Sequence, residues 1–386
     1  MKKETLLVRA GRPKQHGPVN VPVQRASTIT FETVAQFEAA RRGVYDSTEL
    51  YYGLFGTQTA FAFEEAIAQL EGGYRALAFP SGLAAITASF FAFAGNGDHV
   101  LVPDSAYGPV REFCDTTLRA SGVETTYYDP HAGAGILEWV RSNTKLIYLE
   151  SPGSLTFEVQ DVPAIANVAR ERGITTALDN TWATPLFFSA FDHGVDISLH
   201  AATKYIGGHS DVMSGVAVTN ERVHRALRQA AGRLGFSASP DDCYLALRGL
   251  RTLGVRLRRH EASALRVATW LRQARNVREV LHPGLDGARG NAIWKRDFSG
   301  ASGLFAFILT ARPEDAARFV EALQLFAIGA SWGGYESLVM LCRPPRSATA
   351  LPYDRDNEAL IRLNIGLEDP DDLIEDLARA FPILVT

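Results

Sequence analysis

Between residues 76 and 219, short apolar runs alternate with helical segments, and this alternation restricts the fold more than any other feature of the chain. The runs lie at 76–79, 99–102, 145–149, 174–178, 196–199 and 216–219. One helical segment, 83–94, follows directly on Pro80-Ser81-Gly82. Another opens with Asp161 as N-cap and Pro163 in its first turn, and closes at Gly173. Alternation of this kind implies βαβ units around a mainly parallel sheet.

The flanks read differently. Residues 1–56 show weak periodicity and many breakers (Gly11, Pro13, Gly17, Pro18, Pro22), so they are expected to form an extended arm. A helix follows, with Phe63, Ile67 and Leu70 at helical spacing and Gly72-Gly73 as its stop. A basic helical stretch at 248–275, with Leu250, Leu253, Leu257 and Leu265 on one stripe, leads out of the sheet unit near residue 249. Strands at 303–310 and 362–366 and an acidic-capped helix from Asp371 then make a second unit. The expected division is an arm at 1–56, an α/β domain at 57–249 and a smaller α+β domain at 250–386.

Composition excludes several function classes. With 39 basic and 43 acidic residues the net charge is −4, without the basic surplus of a nucleic-acid or anionic-membrane binder. The longest mostly apolar stretch, 83–94, is too short to span a bilayer, and the N-terminus has no apolar signal core. Cys114, Cys243 and Cys342 form no C-x-x-C pair, which fits reduced thiols in a cytoplasmic protein. No metal site is expected.

In open α/β sheets, ligands sit at the carboxyl ends of the strands. Pro80-Ser81-Gly82-Leu83 reads there either as a phosphate cradle at a helix start or as a plain strand-to-helix turn. Tyr107 can stack on a flat ring or simply pack. Asp179, closing an apolar strand, needs a cationic partner such as a protonated pyridine nitrogen, unless it is a helix cap or local ion pair. Lys204, in Ala201-Ala202-Thr203-Lys204-Tyr205, has small and apolar neighbours that would desolvate it and make its amine nucleophilic; the bland reading is a surface lysine. Arg362, inside an apolar strand, suits a substrate carboxylate or an internal salt bridge. Together these residues supply the parts that pyridoxal 5'-phosphate (PLP) chemistry requires. No G-x-G-x-x-G follows an early strand, so a dinucleotide-dependent oxidoreductase is disfavoured. The retained chemical residues speak against a scaffold that has lost catalysis.

The chain resembles the Cys/Met-metabolism PLP enzymes of fold type I. The resemblance is carried by Leu149-Glu150-Ser151-Pro152-Gly153-Ser154, Asp179-Asn180-Thr181-Trp182, Ala202-Thr203-Lys204-Tyr205, Gly208-His209-Ser210-Asp211, Ser331-Trp332-Gly333-Gly334-Tyr335-Glu336-Ser337 and Ile365-Gly366-Leu367-Glu368-Asp369. Ser154, Trp332 and Pro109 resemble the β-lyase branch, the bacterial cystathionine β-lyases, rather than the γ-lyases and γ-synthases. The resemblance implies a mainly parallel seven-stranded sheet domain, a smaller α+β C-terminal domain and an N-terminal arm. It implies PLP bound covalently to Lys204, with Lys204 and Tyr107 as catalytic residues, Asp179 on the ring nitrogen, and Gly82, Leu83 and Thr203 on the phosphate. It further implies that Arg362, Ser331, Trp332 and Ser154 hold the substrate. Tyr52 would reach into the neighbouring subunit's cofactor and substrate site, making a homodimer the active unit, usually paired into a homotetramer. The expected reaction is β-elimination from cystathionine, with cysteine, cystine or S-alkylcysteines as alternative substrates. Leu54 and Phe55 depart from the family pattern, which has arginine on the cofactor phosphate at the first position and often at the second. Ala330 stands where some β-lyases have a larger aromatic.

Overall fold

The structure is a computed structural model that describes residues 1–12, 16–46, 48–344 and 354–385. Seven strands build the larger sheet: β1 (Arg75–Phe79), β2 (His99–Pro103), β3 (Glu124–Tyr128), β4 (Thr144–Glu150), β5 (Thr175–Asp179), β6 (Ile197–His200) and β7 (Gly215–Thr219). Their order is β1-β7-β6-β5-β4-β2-β3. All pairs are parallel except those of β7, which runs antiparallel to both β1 and β6. β1 therefore points the same way as β6, and the loops after β1, β2, β4, β5 and β6 open on one edge.

Helices cover both faces, and so the central strands β5, β6 and β7 are buried almost throughout rather than alternately. Side chains two apart still share a face. Leu146 and Tyr148 of β4 pack with Phe79, Phe90, Val100 and Val102 on one side. Ile147 and Leu149 pack with Phe63, Ile67, Leu101 and Leu178 on the other. The helix Gln58–Glu71 closes at Gly72, as its sequence signal predicts.

A second sheet holds β8 (Val277–Leu281), β9 (Leu304–Thr310), β10 (Ala327–Ile328), β11 (Leu338–Cys342) and β12 (Glu358–Asn364), in the order β10-β11-β12-β9-β8. Its core joins Phe305, Phe307, Phe319, Ile361 and Leu363 to the helices Leu253–Leu271 and Pro370–Ala380.

Three details differ from the sequence expectation. The segment 1–56 is not wholly extended: it carries helices Lys3–Arg9 and Val34–Gly43, the second started by a reciprocal capping box between Thr33 and Gln36. The basic stretch is two helices, Pro240–Leu250 and Leu253–Leu271, because Thr252 leaves helical geometry (φ −108°, ψ 4°). Leu250, Leu253 and Leu257 are fully buried, whereas Leu265 is only partly so. β3 was not among the apolar runs, because Glu124-Thr125-Thr126-Tyr127-Tyr128 is a mostly polar strand at the sheet's edge. Among the described residues, no helix is long and apolar enough to cross a membrane.

Candidate active site

The loops on the open edge converge with Arg362 of β12 and the 330–332 loop on a cleft of about 340 Å³. Gly82, Leu83, Tyr107, Ser154, Asp179, Thr203, Lys204, Ser331, Trp332 and Arg362 all line it. Residues distant in sequence but expected to act together are thus brought to one place. Tyr52 is the exception. It does not line this cleft, and it is 46% exposed just ahead of the turn Gly53–Phe55.

The cradle forms where β1 meets the helix Gly82–Phe93. Ser81 caps that helix, its Oγ accepting from the Ala84 N–H at 3.1 Å. The amides of Gly82 and Leu83 precede the first intrahelical bonds and are left for an anion. Gly82 lies so close to the lysine loop that an added Cβ would meet Ala201 Cβ at 2.6 Å. Thr203 borders the same space, with its hydroxyl donating to Ser214 O and accepting from Ser214 N, both at 3.0 Å.

Lys204 is half-buried. Its ammonium donates to Ser331 Oγ at 2.8 Å and lies 5.3 Å from the Trp332 ring centroid. Burial, reinforced by the Arg362 guanidinium and opposed by Asp179, lowers its pKa to about 8. Arg256 holds the loop from behind, donating to the carbonyls of Tyr205 and Gly249 at 2.8 Å each.

Asp179 ends β5. Its Oδ1 accepts from the Thr181 N–H at 2.9 Å, and the Thr181 hydroxyl in turn accepts from the Ala201 N–H at 2.9 Å. Burial pushes the Asp179 carboxyl up, against hydrogen bonds from Thr181 and Tyr148 and the nearness of His200. Glu150, at the end of β4, accepts the N–H of Tyr107 at 2.8 Å. The Tyr107 phenol is raised by burial and by the nearby Asp179 and Glu150, so it is neutral at physiological pH.

Arg362 donates through Nη2 to the carbonyls of Ala330 (2.8 Å) and Ser331 (3.1 Å). Asn364, two residues on and on the same face of β12, accepts the Gly333 N–H at 3.0 Å. Gly333 has φ +83°, and a Cβ there would crowd the Lys204–Tyr205 backbone at about 3 Å. One strand thus pins the loop that presses Ser331 and Trp332 onto Lys204.

Sequence reasoning singled out neither Glu150, Thr181 nor Trp182 as site residues in their own right. Leu54 and Phe55 lie elsewhere in their own chain. They border a small cavity with Glu64 and Arg228, and Arg228 donates to Phe55 O at 3.3 Å.

A covalently held PLP fits these residues. There are uncommitted amides for a phosphate, an amine with a lowered pKa for an aldehyde, a carboxylate beneath the lysine loop for a ring nitrogen, and an arginine for a carboxylate. Comparison with known proteins agrees. The Cys/Met metabolism PLP-dependent enzyme family matches residues 4–382. The chain is 48% identical to a putative cystathionine beta-lyase of Rhizobium johnstonii, over 95% of this chain and 92% of that one. It is 46% identical to cystathionine beta-lyase MetC of Escherichia coli, over 100% and 99% of the two chains. The crystal structure of metB from Corynebacterium glutamicum superposes with a TM-score of 0.89 at 31% identity, covering 99% and 98% of the two chains. Family match, full-length relatives and cleft all lead to one conclusion: the chain belongs to the Cys/Met metabolism PLP-dependent enzymes.

Proposed function

We propose that the chain is a carbon–sulfur β-lyase that converts L-cystathionine and water to L-homocysteine, pyruvate and ammonia. The observation that carries this reading is the position of Lys204. Its amine, lowered to about 8 by burial, rests 2.8 Å from Ser331 Oγ in one cleft with Asp179 and Arg362. PLP, when bound, supplies an electron sink for the carbanion left at the substrate Cα.

The roles of the chain's own groups follow. Gly82 and Leu83 amides, with Thr203, hold the phosphate. Asp179 would keep the ring nitrogen protonated, and Tyr107 would stack on the ring. Arg362 fixes the substrate α-carboxylate, with Ser154, Ser331 and Trp332 lining its approach. The Lys204 amine would take the Cα proton and return a proton to the departing sulfur. Ser331 keeps the amine within reach during that exchange. The division into an arm at 1–56, a cofactor domain at 57–249 and a C-terminal domain at 250–386 belongs to the same reading. So does a cytoplasmic homodimer, paired into a homotetramer, in which Tyr52 completes the neighbouring site; its exposure outside its own cleft supports this.

A second reading is a broader lyase for cysteine, cystine and S-alkylcysteines. It is favoured by the cleft's lining, where Leu83, Ile86, Leu155, Phe157, Trp182 and Leu304 are apolar. The ionisable lining residues, Tyr107, Glu150, Asp179, Lys204 and Arg362, already have tasks near the reacting end. A panel of L-cystathionine, L-cystine, L-cysteine and S-alkylcysteines, with pyruvate and thiol measured together, separates the two. The first reading expects the highest kcat/KM for cystathionine, with pyruvate and homocysteine in equal amounts. Release of 2-oxobutyrate and cysteine instead would refute β-elimination.

A further inference from the structure

We propose that Tyr148 is a positioning residue for Asp179: its buried hydroxyl, set between the carboxylates of Asp179 and Glu150, keeps Asp179 ready to pair with a protonated ring nitrogen and so sets cofactor affinity. The inference rests on the PLP reading of the cleft and adds residues to it.

Strand register creates the arrangement. β4 and β5 are parallel, and Glu150 stands directly beside Asp179 in the ladder. Two acids therefore end adjacent strands. Tyr148 lies two residues before Glu150 and on the same face. Its hydroxyl is 3.3 Å from Glu150 Oε2 and 3.5 Å from Asp179 Oδ2. The ring is fully buried against Phe90 (centroids 5.7 Å apart), so packing fixes where the hydroxyl points.

The other ends of this chain are also held. Glu150 Oε2 accepts the Tyr107 N–H at 2.8 Å, and Asp179 Oδ1 accepts the Thr181 N–H at 2.9 Å. A continuous path thus runs from the backbone of the ring-stacking residue, through Glu150 and Tyr148, to the acid assigned to the ring nitrogen. A phenol has one proton to give, and both neighbours are acids. Two carboxylates this close disfavour each other's charge, and a hydrogen bond to the charged form offsets that. Besides Glu150 and Tyr148, the titratable groups facing Asp179 are Tyr107 from the β2 loop, His200 at the end of β6, Lys204 beyond it and Arg362 from β12. Tyr148 is the one whose proton sits between the two acids.

The sign of the effect follows. Removing the hydroxyl raises the proton affinity of the acid pair. Asp179 is then neutral over more of the pH range and pairs more weakly with a ring nitrogen. The loss grows as pH falls.

The test is the dissociation constant of PLP, measured by equilibrium dialysis from pH 6 to 9. The proteins are the parent, Tyr148→Phe, Glu150→Gln and the double variant. Phenylalanine keeps the ring's volume. Tyr148→Phe is expected to weaken binding by about tenfold at pH 6 and by less at pH 9. Adding Glu150→Gln removes the competing charge and is expected to recover most of that loss. A Tyr148→Phe constant that matches the parent across the range overturns the proposal. So does a loss independent of pH, or one that Glu150→Gln leaves in place, since either marks a packing effect. Failure of the parent itself to bind PLP would instead sink the cofactor reading on which this stands.

Discussion

Lys204 offers the most direct quantitative check on the site. Its amine is lowered to about 8 by burial first, then by the Arg362 guanidinium, with Asp179 pulling the other way. A lysine in water titrates near 10.4. At pH 7, an amine of pKa 8 is about a tenth neutral, whereas one near 10.4 is neutral in about one molecule in 2,500. The cleft therefore multiplies the reactive form roughly two-hundredfold before any chemistry begins. Competitive acetylation of the cofactor-free protein across pH 6–11, read by peptide mass spectrometry, reports this directly, with an unstructured lysine peptide as the reference in the same sample. Half-maximal labelling of Lys204 is expected near pH 8. Two substitutions should move it in opposite directions: Arg362→Gln removes a cation and raises the midpoint, and Asp179→Asn removes an anion and lowers it. Because burial is the largest cause, Lys204 in Arg362→Gln should still titrate well below a lysine in water. A parent midpoint equal to that of a lysine in water would refute the claim that the cleft desolvates this amine.

Three further outcomes are expected. Arg362→Gln should lower kcat/KM for amino-acid substrates by about ten- to a hundredfold while PLP is retained, the loss of a charge-assisted contact to the α-carboxylate; a change within twofold would assign that contact elsewhere. Leu54→Arg should slow PLP loss on dialysis by about tenfold or more if segment 52–56 faces the neighbouring phosphate, and unchanged or faster loss would show that the phosphate lacks no cationic partner there. Mixing inactive Tyr52→Phe with inactive Lys204→Ala should restore part of the activity through exchanged subunits, whereas a fully active monomer in sedimentation would exclude shared sites.

The parts of the site legible in the sequence are those that strand ends announce. Gly82, Tyr107, Asp179 and Lys204 each follow an apolar run, and in a parallel sheet those ends share an edge. Glu150 carried the same signal, an acid closing the apolar run 145–149, and the structure sets it beside Asp179. Thr33-Val34-Ala35-Gln36 also carried a visible capping-box pattern within a segment read as extended. Other features have no local signature. Ser331 and Trp332 came from resemblance alone, because nothing near them in sequence indicates that a loop some 130 residues after Lys204 returns to touch it. The link between Tyr148 and Asp179 depends on register between strands, and a shift of one residue would turn the hydroxyl to the opposite face.

That dependence on register joins the two halves of the molecule. On β12, Arg362 and Asn364 share one face and grip the 330–333 loop at both ends, through the Ala330 and Ser331 carbonyls and the Gly333 amide. On β4 and β5, register places Tyr148 between two acids. The first device sets where Lys204 rests, through Ser331; the second sets what charge lies on the far side of the cofactor's place. Neither uses a residue whose own neighbours in sequence call for that role. Both draw on the rigidity of paired strands, which hold side chains more closely than loops can. The chemistry sits on loops, and the strands behind them decide its geometry. In Arg362 the two devices meet: the side chain proposed for the substrate's carboxylate also fastens the loop that holds the Lys204 amine. If Arg362 holds the substrate carboxylate as proposed, substrate recognition and placement of the Lys204 amine are coupled, and a change at β12 would be felt at both.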